Sequence, residues 1–265
     1  MQIKTTSVAL LISTYNWPQA LELVLLSVSK QTIMPDEIVI ADDGSGSETK
    51  GLIQKFQKES DMPVRHVWHE DKGFRKSKIL NKAVKTINSE YIVEIDGDII
   101  LHPEFIADHI DASRAGYFVQ GSRSMIIQSQ VSNVLSKKKL TYSIFSKSLY
   151  NRFNAIRIPF LSRLFTLLPS NPFHIKACNI AFWKKDFMKI NGYDNRFEGW
   201  GGEDYEFGAR LIHAGIKSKR LKMSALAYHI YHRESNRDNR GPNDQIYRST
   251  LAQKLTYTQD GCNQV

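Results

Sequence analysis

The sequence predicts an α/β protein in which helices flank a mostly parallel sheet. Short apolar runs, typical of strands buried on both faces, alternate with segments of helical periodicity in the first half of the chain. Such alternation is typical of βαβ units, whose strands are parallel. The chain has 265 residues, of which 42% are apolar and 24% charged. That length suits one substantial domain, and that composition excludes a disordered or collagen-like protein.

The predicted elements of the first half follow one another closely. Strands rich in Val, Ile and Leu are predicted at residues 7–13, 37–41, 64–68 and 91–95. Helices are predicted at residues 18–31, 48–58 and 77–87. Pro18 suits the first turn of the first helix, because proline lacks the N–H group that a helix start leaves unbonded.

The second half of the chain is less regular. It predicts a strand at residues 178–183, a glycine-rich loop at 197–203, a helix at 204–214 and a last strand at 224–230. The polar tail beyond Arg233 predicts a surface loop followed by a terminal helix.

The positive charge of the protein is concentrated in the middle of the chain. The formal net charge is +9, and residues 112–185 contain twelve Lys or Arg but no Asp or Glu. Such a region favours an anionic partner: a nucleotide, a nucleic acid or an anionic lipid. Within it, the helical spacing of Phe145, Leu149 and Phe153 predicts a basic amphipathic helix over residues 137–163, suited to an anionic membrane surface.

The sequence also indicates a compartment. No run of 18 apolar residues predicts a transmembrane helix, and the first apolar run leads into Thr14-Tyr15-Asn16 rather than a signal-peptide cleavage site. Two cysteines, Cys178 and Cys262, are too few for a zinc cluster and fit a reducing environment. We therefore expect a cytoplasmic protein, peripheral at the inner face of the membrane if the basic segment binds lipid.

Three of the predicted strands end in polar residues. The motifs are Thr14-Tyr15-Asn16, Asp42-Asp43-Gly44-Ser45 and Asp96-Gly97-Asp98. Ligands of parallel sheets bind beyond the carboxyl ends of the strands, although the first two motifs are also typical of ordinary turns. Two alternate carboxylates at the edge of a core suit Mg²⁺ or Mn²⁺, which bridges phosphate oxygens.

Three further segments carry candidate ligand-binding groups. Residues 69–78 open a helix with several Lys and Arg that could hold a diphosphate, or form a solvated turn. In residues 197–204, glycines around Trp200 would let a ligand approach the backbone, and Glu203 and Asp204 start a helix. His229 and His232 are candidate metal ligands after the last strand.

Taken together and in this order, the motifs resemble those of the family-2 inverting glycosyltransferases of GT-A fold, a Rossmann-like α/β fold. The segment Gly-Trp-Gly-Gly-Glu-Asp at residues 199–204 is similar to the C-terminal region of galactosyltransferases. The resemblance covers residues 5–125 and 172–235. It implies a single domain over residues 1–265, with a nucleotide-binding half at 1–125, an acceptor and catalytic half at 172–235, and a basic helical insertion at 126–171.

The resemblance also implies roles for individual residues. Asp204 would be the catalytic base, Asp98 a metal ligand, and His232 a second ligand with His229 as the alternative. Nucleotide-binding residues would be Thr14, Tyr15, Asn16, Asp42 or Asp43, Arg75, Lys76, Asp96 and Gly97. Sugar-binding residues would be Trp200, Gly201, Gly202 and Glu203.

The function implied is metal-dependent, inverting transfer of a sugar from a UDP-sugar to a hydroxyl. The cofactor would be Mn²⁺ or Mg²⁺, and the acceptor a glycan or lipid-linked glycan of bacterial surface polysaccharide synthesis, with no nucleic acid as partner.

A nucleotidyltransferase is one alternative, but Thr14-Tyr15-Asn16 stands where a glycine-rich phosphate loop would follow the first strand. A protein that binds nucleic acid or a lipid surface is another; the acid-free middle favours it, and the carboxylate-rich strand ends do not.

Overall fold

The computed structural model describes residues 6–168, 171–172, 175–233 and 240–265. The strands are β1 (Val8–Thr14), β2 (Glu37–Asp42), β3 (Val64–Trp68), β4 (Tyr91–Asp96), β5 (Ile99–Leu101), β6 (Tyr117–Gln120), β7 (Ser122–Ile126), β8 (Leu149–Tyr150), β9 (Asn179–Trp183), β10 (Lys217–Arg220) and β11 (Leu226–Ile230). The helices are α1 (Pro18–Val28), α2 (Ser47–Glu59), α3 (Lys76–Thr86), α4 (Phe105–Ala112), α5 (Val131–Ser136), α6 (Pro159–Phe165), α7 (Lys184–Lys189), α8 (Glu203–His213) and α9 (Arg240–Ala252).

Within the described ranges, the strands form two sheets. The larger has seven strands in the order β10-β6-β9-β4-β1-β2-β3, and the smaller has four in the order β5-β11-β7-β8. β1 pairs in parallel with β2 and β4, whereas β9 lies antiparallel between β4 and β6. The large sheet is therefore mostly parallel, as predicted.

The core explains why the central strands are apolar along their whole length. Leu10 and Ile12 of β1 face a cluster that includes the apolar side of α1, and Leu11 faces a second cluster with α3 on the opposite side. Because both faces are covered, all seven residues of β1 are buried. Full burial of each leucine or isoleucine contributes roughly 1.5–3 kcal/mol, so substitution by a polar residue here would destabilise the fold.

The strands and helices predicted for the first half are confirmed within a few residues at each end. The elements without a sequence prediction are short or polar: β5, β6, β7, β10, α4 and α7. β5 continues the apolar run of β4 after one turn at Gly97, so its sequence does not separate it from β4. The edge strand β10, Lys217–Arg220, contains only Lys, Ser and Arg, which gives no apolar signal.

The predicted amphipathic helix over residues 137–163 is wrong. This segment contains irregular chain, the two-residue strand β8, a 3₁₀ turn at Arg152–Ala155 and most of the short helix α6. Serines favour local turns here: the N–H of Ser143 donates to Ser146 Oγ at 2.9 Å, and the N–H of Phe145 to Ser143 Oγ at 3.3 Å. Such bonds compete with helical backbone bonds, which outweighs the apolar periodicity.

Membrane-spanning helices are also absent from the part of the chain that the structure describes. None of the helices there is long and apolar enough to cross a bilayer.

Candidate active site

The carboxyl ends of β1, β2 and β4 open into a cleft of about 1270 Å³, which the start of α8 and the end of β11 close from the other side. The cleft brings together fourteen of the residues predicted from the sequence. These are Thr14, Tyr15, Asp43, Lys76, Asp96, Gly97, Asp98, Trp200, Gly201, Gly202, Glu203, Asp204, His229 and His232.

The remaining three predicted residues lie beside the cleft and support its wall. Asp42 is fully buried, accepts the N–H of Ser45 at 2.8 Å and bonds the ring of His66 at 2.9 Å. Asn16 accepts the N–H of Gly46, and the Arg75 side chain donates to the carbonyl of Glu70. Of the two candidate aspartates at the end of β2, Asp43 is therefore the one that lines the cleft.

Asp98, His229 and His232 form a cluster suited to a metal ion. Asp98 Oδ2 lies 3.1 Å from His229 Nε2 and 3.3 Å from His232 Nε2. Their potential ligand atoms all lie within 4.8 Å of one another. The structure thus brings both histidines to the aspartate, where the sequence left a choice between them.

The surroundings of this cluster fit a divalent cation. Asp98 Oδ1 is buried without a hydrogen-bond partner among the described residues, so one carboxylate oxygen remains for a ligand. The Nδ1 of His232 lies 2.8 Å from the carbonyl of Arg233, so Nε2 is the ring nitrogen that faces Asp98. One carboxylate oxygen and two imidazoles suit a divalent transition-metal ion such as Mn²⁺ better than Mg²⁺, which prefers oxygen ligands.

Asp96 is held differently from Asp98, although only Gly97 separates them. It accepts hydrogen bonds from Ser13 Oγ at 2.9 Å and from Lys76 Nζ. Burial alone would favour the neutral acid, but the charge and hydrogen bond of Lys76 lower the pKa of Asp96 to about 2. Asp96 is therefore ionised and paired with an ammonium group within the cleft.

Gly97 allows the sharp turn between the two aspartates. A Cβ atom there would lie 2.9 Å from the carbonyl oxygen of Ser13, which accepts the N–H of Gly97 at 2.6 Å. A side chain at position 97 would push the turn away from β1, so glycine is the residue that fits between Asp96 and Asp98.

At the opposite wall, Glu203 and Asp204 begin α8 after a left-handed Gly202 (φ +93°). The carboxylate of Asp204 accepts the N–H of Tyr205 at 3.0 Å and that of Ala177 at 3.4 Å. Burial and the neighbouring charge of Glu203 raise the pKa of Asp204 to about 7, although Lys76 acts in the opposite direction. An aspartate with this pKa can take up and release a proton at neutral pH.

Asp43 lies at the β2 end of the cleft. Its Oδ1 is 2.6 Å from His69 Nε2, and its Oδ2 accepts the N–H of Arg75 at 2.8 Å. Burial raises the pKa of Asp43 and lowers that of His69. Nearby, the ring of Tyr15 is half exposed and its hydroxyl donates to Asp71 Oδ2 at 2.9 Å. This end of the cleft offers a hydrogen-bond acceptor and an aromatic face.

Several cleft residues had no signal in the sequence: Trp17, Arg123, Lys176, Tyr231, Asp244, Tyr247 and Arg248. Arg123 contacts Cys178 Sγ. Burial opposes the positive charge of Arg123, but Cys178 and the carboxylates of Asp96 and Asp98 outweigh it and raise the pKa of Arg123. Arg123 lies on β7, three of the others lie on α9 and the rest lie outside helices and strands. They belong to no recognisable motif, so only the folded chain brings them to the site.

Residues 9–174 match glycosyl transferase family 2, and residues 170–233 match a family described as the N-terminal domain of galactosyltransferase. The chain belongs to glycosyl transferase family 2. The two matches meet at residues 170–174, a few residues before β9.

Similar proteins include polysaccharide synthases. The chain is 27% identical to the chondroitin synthase of Escherichia coli over 97% of its own length and 39% of that protein. It is 27% identical to the hyaluronan synthase of Pasteurella multocida over 83% of its own length and 24% of that protein. The chain thus spans less than half the length of these two relatives.

Solved structures confirm the fold class. Staphylococcus aureus TarS 1-349 in complex with UDP matches with a TM-score of 0.63 at 15% identity, over 92% of this chain and 65% of that one. The α/β fold is therefore the GT-A fold predicted from the sequence.

Proposed function

We propose that this protein transfers a sugar from a UDP-sugar to a hydroxyl group of a glycan or lipid-linked glycan, with inversion, in bacterial surface polysaccharide synthesis. One observation carries the proposal: the cleft places a half-buried aspartate with a pKa of about 7, Asp204, opposite the cluster of Asp98, His229 and His232. A proton acceptor and a cation site on two walls of one cleft are what hydroxyl attack on a nucleotide sugar requires.

The nucleotide would lie along the strand ends. Asp43 would accept the N3–H of uracil, and Tyr15 would stack on the base. Lys76, which is paired with Asp96, and Arg123 supply positive charge to the region between base and sugar. Support comes from the crystal structure of TarS with UDP, which shares the fold.

Asp98, His229 and His232 would hold the divalent cation, Mn²⁺ or Mg²⁺, which supplies charge neutralisation at the leaving diphosphate. The two histidines come from the end of β11 and the residues just after it, so this strand places them against the turn that follows β4.

Asp204 would act as the base. It takes the proton of the acceptor hydroxyl while the acceptor oxygen bonds to the anomeric carbon and the bond from that carbon to the diphosphate oxygen breaks. A single displacement from the opposite face inverts the anomeric centre. Trp200 and Glu203 lie on the same wall and would contact the donor sugar or the acceptor.

The test is a screen of UDP-sugars for UDP release with Mn²⁺, Mg²⁺ or EDTA, with and without glycan acceptors. We expect metal-dependent UDP release, and a product whose anomeric configuration, read by NMR, is opposite to that of the donor. Pyrophosphate release from a nucleoside triphosphate and a sugar phosphate would instead indicate a nucleotidyltransferase. Full activity in EDTA would contradict the metal assignment, and retention of configuration would contradict the single displacement.

A further inference from the structure

One face of the protein, away from the lining of the cleft, exposes large apolar side chains. Phe153, Phe160 and Leu164 are 80%, 75% and 77% exposed, and Phe165, Leu167 and Leu168 are also exposed. We call these six residues the apolar face. Five of the six lie on α6 or just after it, and Phe153 lies in the 3₁₀ turn at Arg152–Ala155.

The polarity of α6 is the reverse of that of an ordinary surface helix. Among its described residues the buried one is Ser162, whose hydroxyl lies 2.8 Å from that of Ser224, while its phenylalanines and Leu164 point to solvent. A surface helix normally buries its apolar residues. This orientation is enforced by backbone contacts: the N–H of Ile158 bonds the carbonyl of Met223, and Leu167 pairs with Arg220.

The apolar face is also concave. Phe153, Phe165 and Leu167 line a groove of about 350 Å³ together with Lys222 and Met223. Exposed contiguous apolar surface of this kind marks an interaction site rather than chance exposure of single residues.

Positive charge borders the apolar face. Arg163 on α6 is 79% exposed; it lies 3.3 Å from Asp111, which balances part of its charge. Burial and neighbouring cations lower the pKa of Lys219, beside Arg114 and Arg163, and that of Lys222, beside Arg220. Burial is the larger cause at both lysines, and Asp111 opposes the shift at Lys219, but the repulsion between Lys222 and Arg220 would be offset by an external anion.

We propose that the apolar face binds the surface of an anionic lipid membrane. The phenylalanines and leucines would enter the boundary between headgroups and acyl chains, and Arg163, Arg220 and Lys222 would meet the lipid phosphates. A second copy of the chain fits less well, because a symmetric contact through this face would set the same cations against each other. The inference is independent of the proposed function, since none of these residues lines the cleft.

The test is co-sedimentation of the full chain with vesicles of phosphatidylcholine alone and of phosphatidylcholine with 30% phosphatidylglycerol (roughly a bacterial anionic surface). We expect binding to the anionic vesicles, weaker binding to the neutral ones, and loss with rising salt. The double variant F160S/L164S should bind at least about tenfold more weakly, because two large apolar groups no longer enter the bilayer.

A matched control tests whether any loss of surface charge has the same effect. Lys55 and Lys58 lie on α2, which packs on β3 at the opposite edge of the large sheet from β10. K55Q/K58Q should bind vesicles like the wild type, whereas R163Q/K222Q should bind about tenfold more weakly. Both apolar and charge variants should keep wild-type Tm and UDP release.

Two results would overturn the proposal. One is equal pelleting with neutral and anionic vesicles, or equal pelleting of F160S/L164S and the wild type. The other is a dimer in analytical ultracentrifugation that F160S/L164S dissociates, with no lipid binding by either form; the apolar face would then be an interface between copies.

Discussion

Three acids in and beneath the cleft have different pKa values because their surroundings differ. Lys76 holds Asp96 ionised, with a pKa of about 2. Burial raises the pKa of Asp204 to about 7 and that of Glu94 to about 8, with Lys76 opposing both shifts. Pairs of acids whose environments separate their pKa values are typical of sites that move protons at neutral pH. The assignment of Asp204 as base rests on this contrast.

The variant D204N tests that assignment. Because an amide cannot accept the proton, kcat for transfer should fall by ~10²–10⁴, while the affinity for UDP stays within twofold of that of the wild type. In the wild type, kcat/KM should rise with pH through about 7, since the base acts in its ionised form.

A carboxylate in the loop just before α8, outside the cleft lining, provides the control. Glu198 is paired with Lys78 at 3.1 Å, and E198Q should keep the wild-type kcat. Loss of UDP binding in D204N, or a kcat/KM that does not change between pH 6 and pH 8, would exclude Asp204 as the base.

At the level of elements, the start of α8 depends on a residue that only glycine suits. Gly202 has φ +93°, and a Cβ atom there would lie 3.1 Å from Phe197 Cε1. The variant G202A should lower the free energy of unfolding by about 1–2 kcal/mol, because a left-handed backbone is strained for alanine. Its kcat should fall as well, because Glu203 and Asp204 directly follow.

Gly51 in α2 is the matched control. It lies inside a helix, and a Cβ atom there would have no atom within 4 Å among the described residues. G51A should therefore raise the free energy of unfolding by ~0.5–1 kcal/mol, as alanine is the better helix former. Urea denaturation measures both variants, and equal effects of the two would contradict the strain at Gly202.

The central strand β4 carries a fully buried acid, Glu94, whose Oε1 accepts the hydroxyl of Tyr193 at 3.0 Å. Because its pKa is about 8 in the folded protein and near 4.5 when unfolded, the folded state holds this proton more tightly. The resulting stability is complete below pH 4.5 and is lost as the pH rises through about 8.

The variant E94Q removes that titration and keeps an oxygen for Tyr193. The Tm of E94Q, measured relative to that of the wild type at the same pH, should be several degrees higher at pH 9 than at pH 6. Thermal unfolding followed by circular dichroism measures it. A difference that is constant over this range would show that Glu94 does not titrate there.

At the scale of the whole molecule, the proposed cation site joins distant parts of the chain. Asp98 and His229 are 131 residues apart in sequence and lie at the same end of the antiparallel pairing of β5 with β11. A ligand that bridges them should stabilise the whole fold. UDP with Mn²⁺ at 100 times its dissociation constant should add about 2.7 kcal/mol, or about 5–10 °C in Tm.

The variant D98N separates the contributions of nucleotide and metal. It should keep the Tm shift caused by UDP alone and lose the additional shift caused by Mn²⁺. An Mn²⁺-dependent shift as large as that of the wild type would place the cation elsewhere.

The sequence predicts strands such as β1 well, because burial on both faces forces a continuous apolar run. It also predicts which residues follow those strands, and fourteen of the seventeen candidate residues line the cleft. It could not separate Asp42 from Asp43, since adjacent residues on a strand differ only in the face they meet. Arg123 lacked any motif, and the helix predicted over residues 137–163 is wrong because serine side chains there bond the backbone in local turns, which apolar periodicity does not reveal.

The position of β9 has a consequence for how the chain folds as it is synthesised. β9 fills the space between β4 and β6, so the edge of β4 stays open until residues 97–178 and then β9 have been made. At about 5–20 residues per second, that interval lasts several seconds. Throughout it, an apolar strand edge is available to other chains. A nascent chain stalled before residue 179 should therefore need a chaperone, and residues 1–125 expressed alone should aggregate even though they contain all nine proposed nucleotide-binding residues.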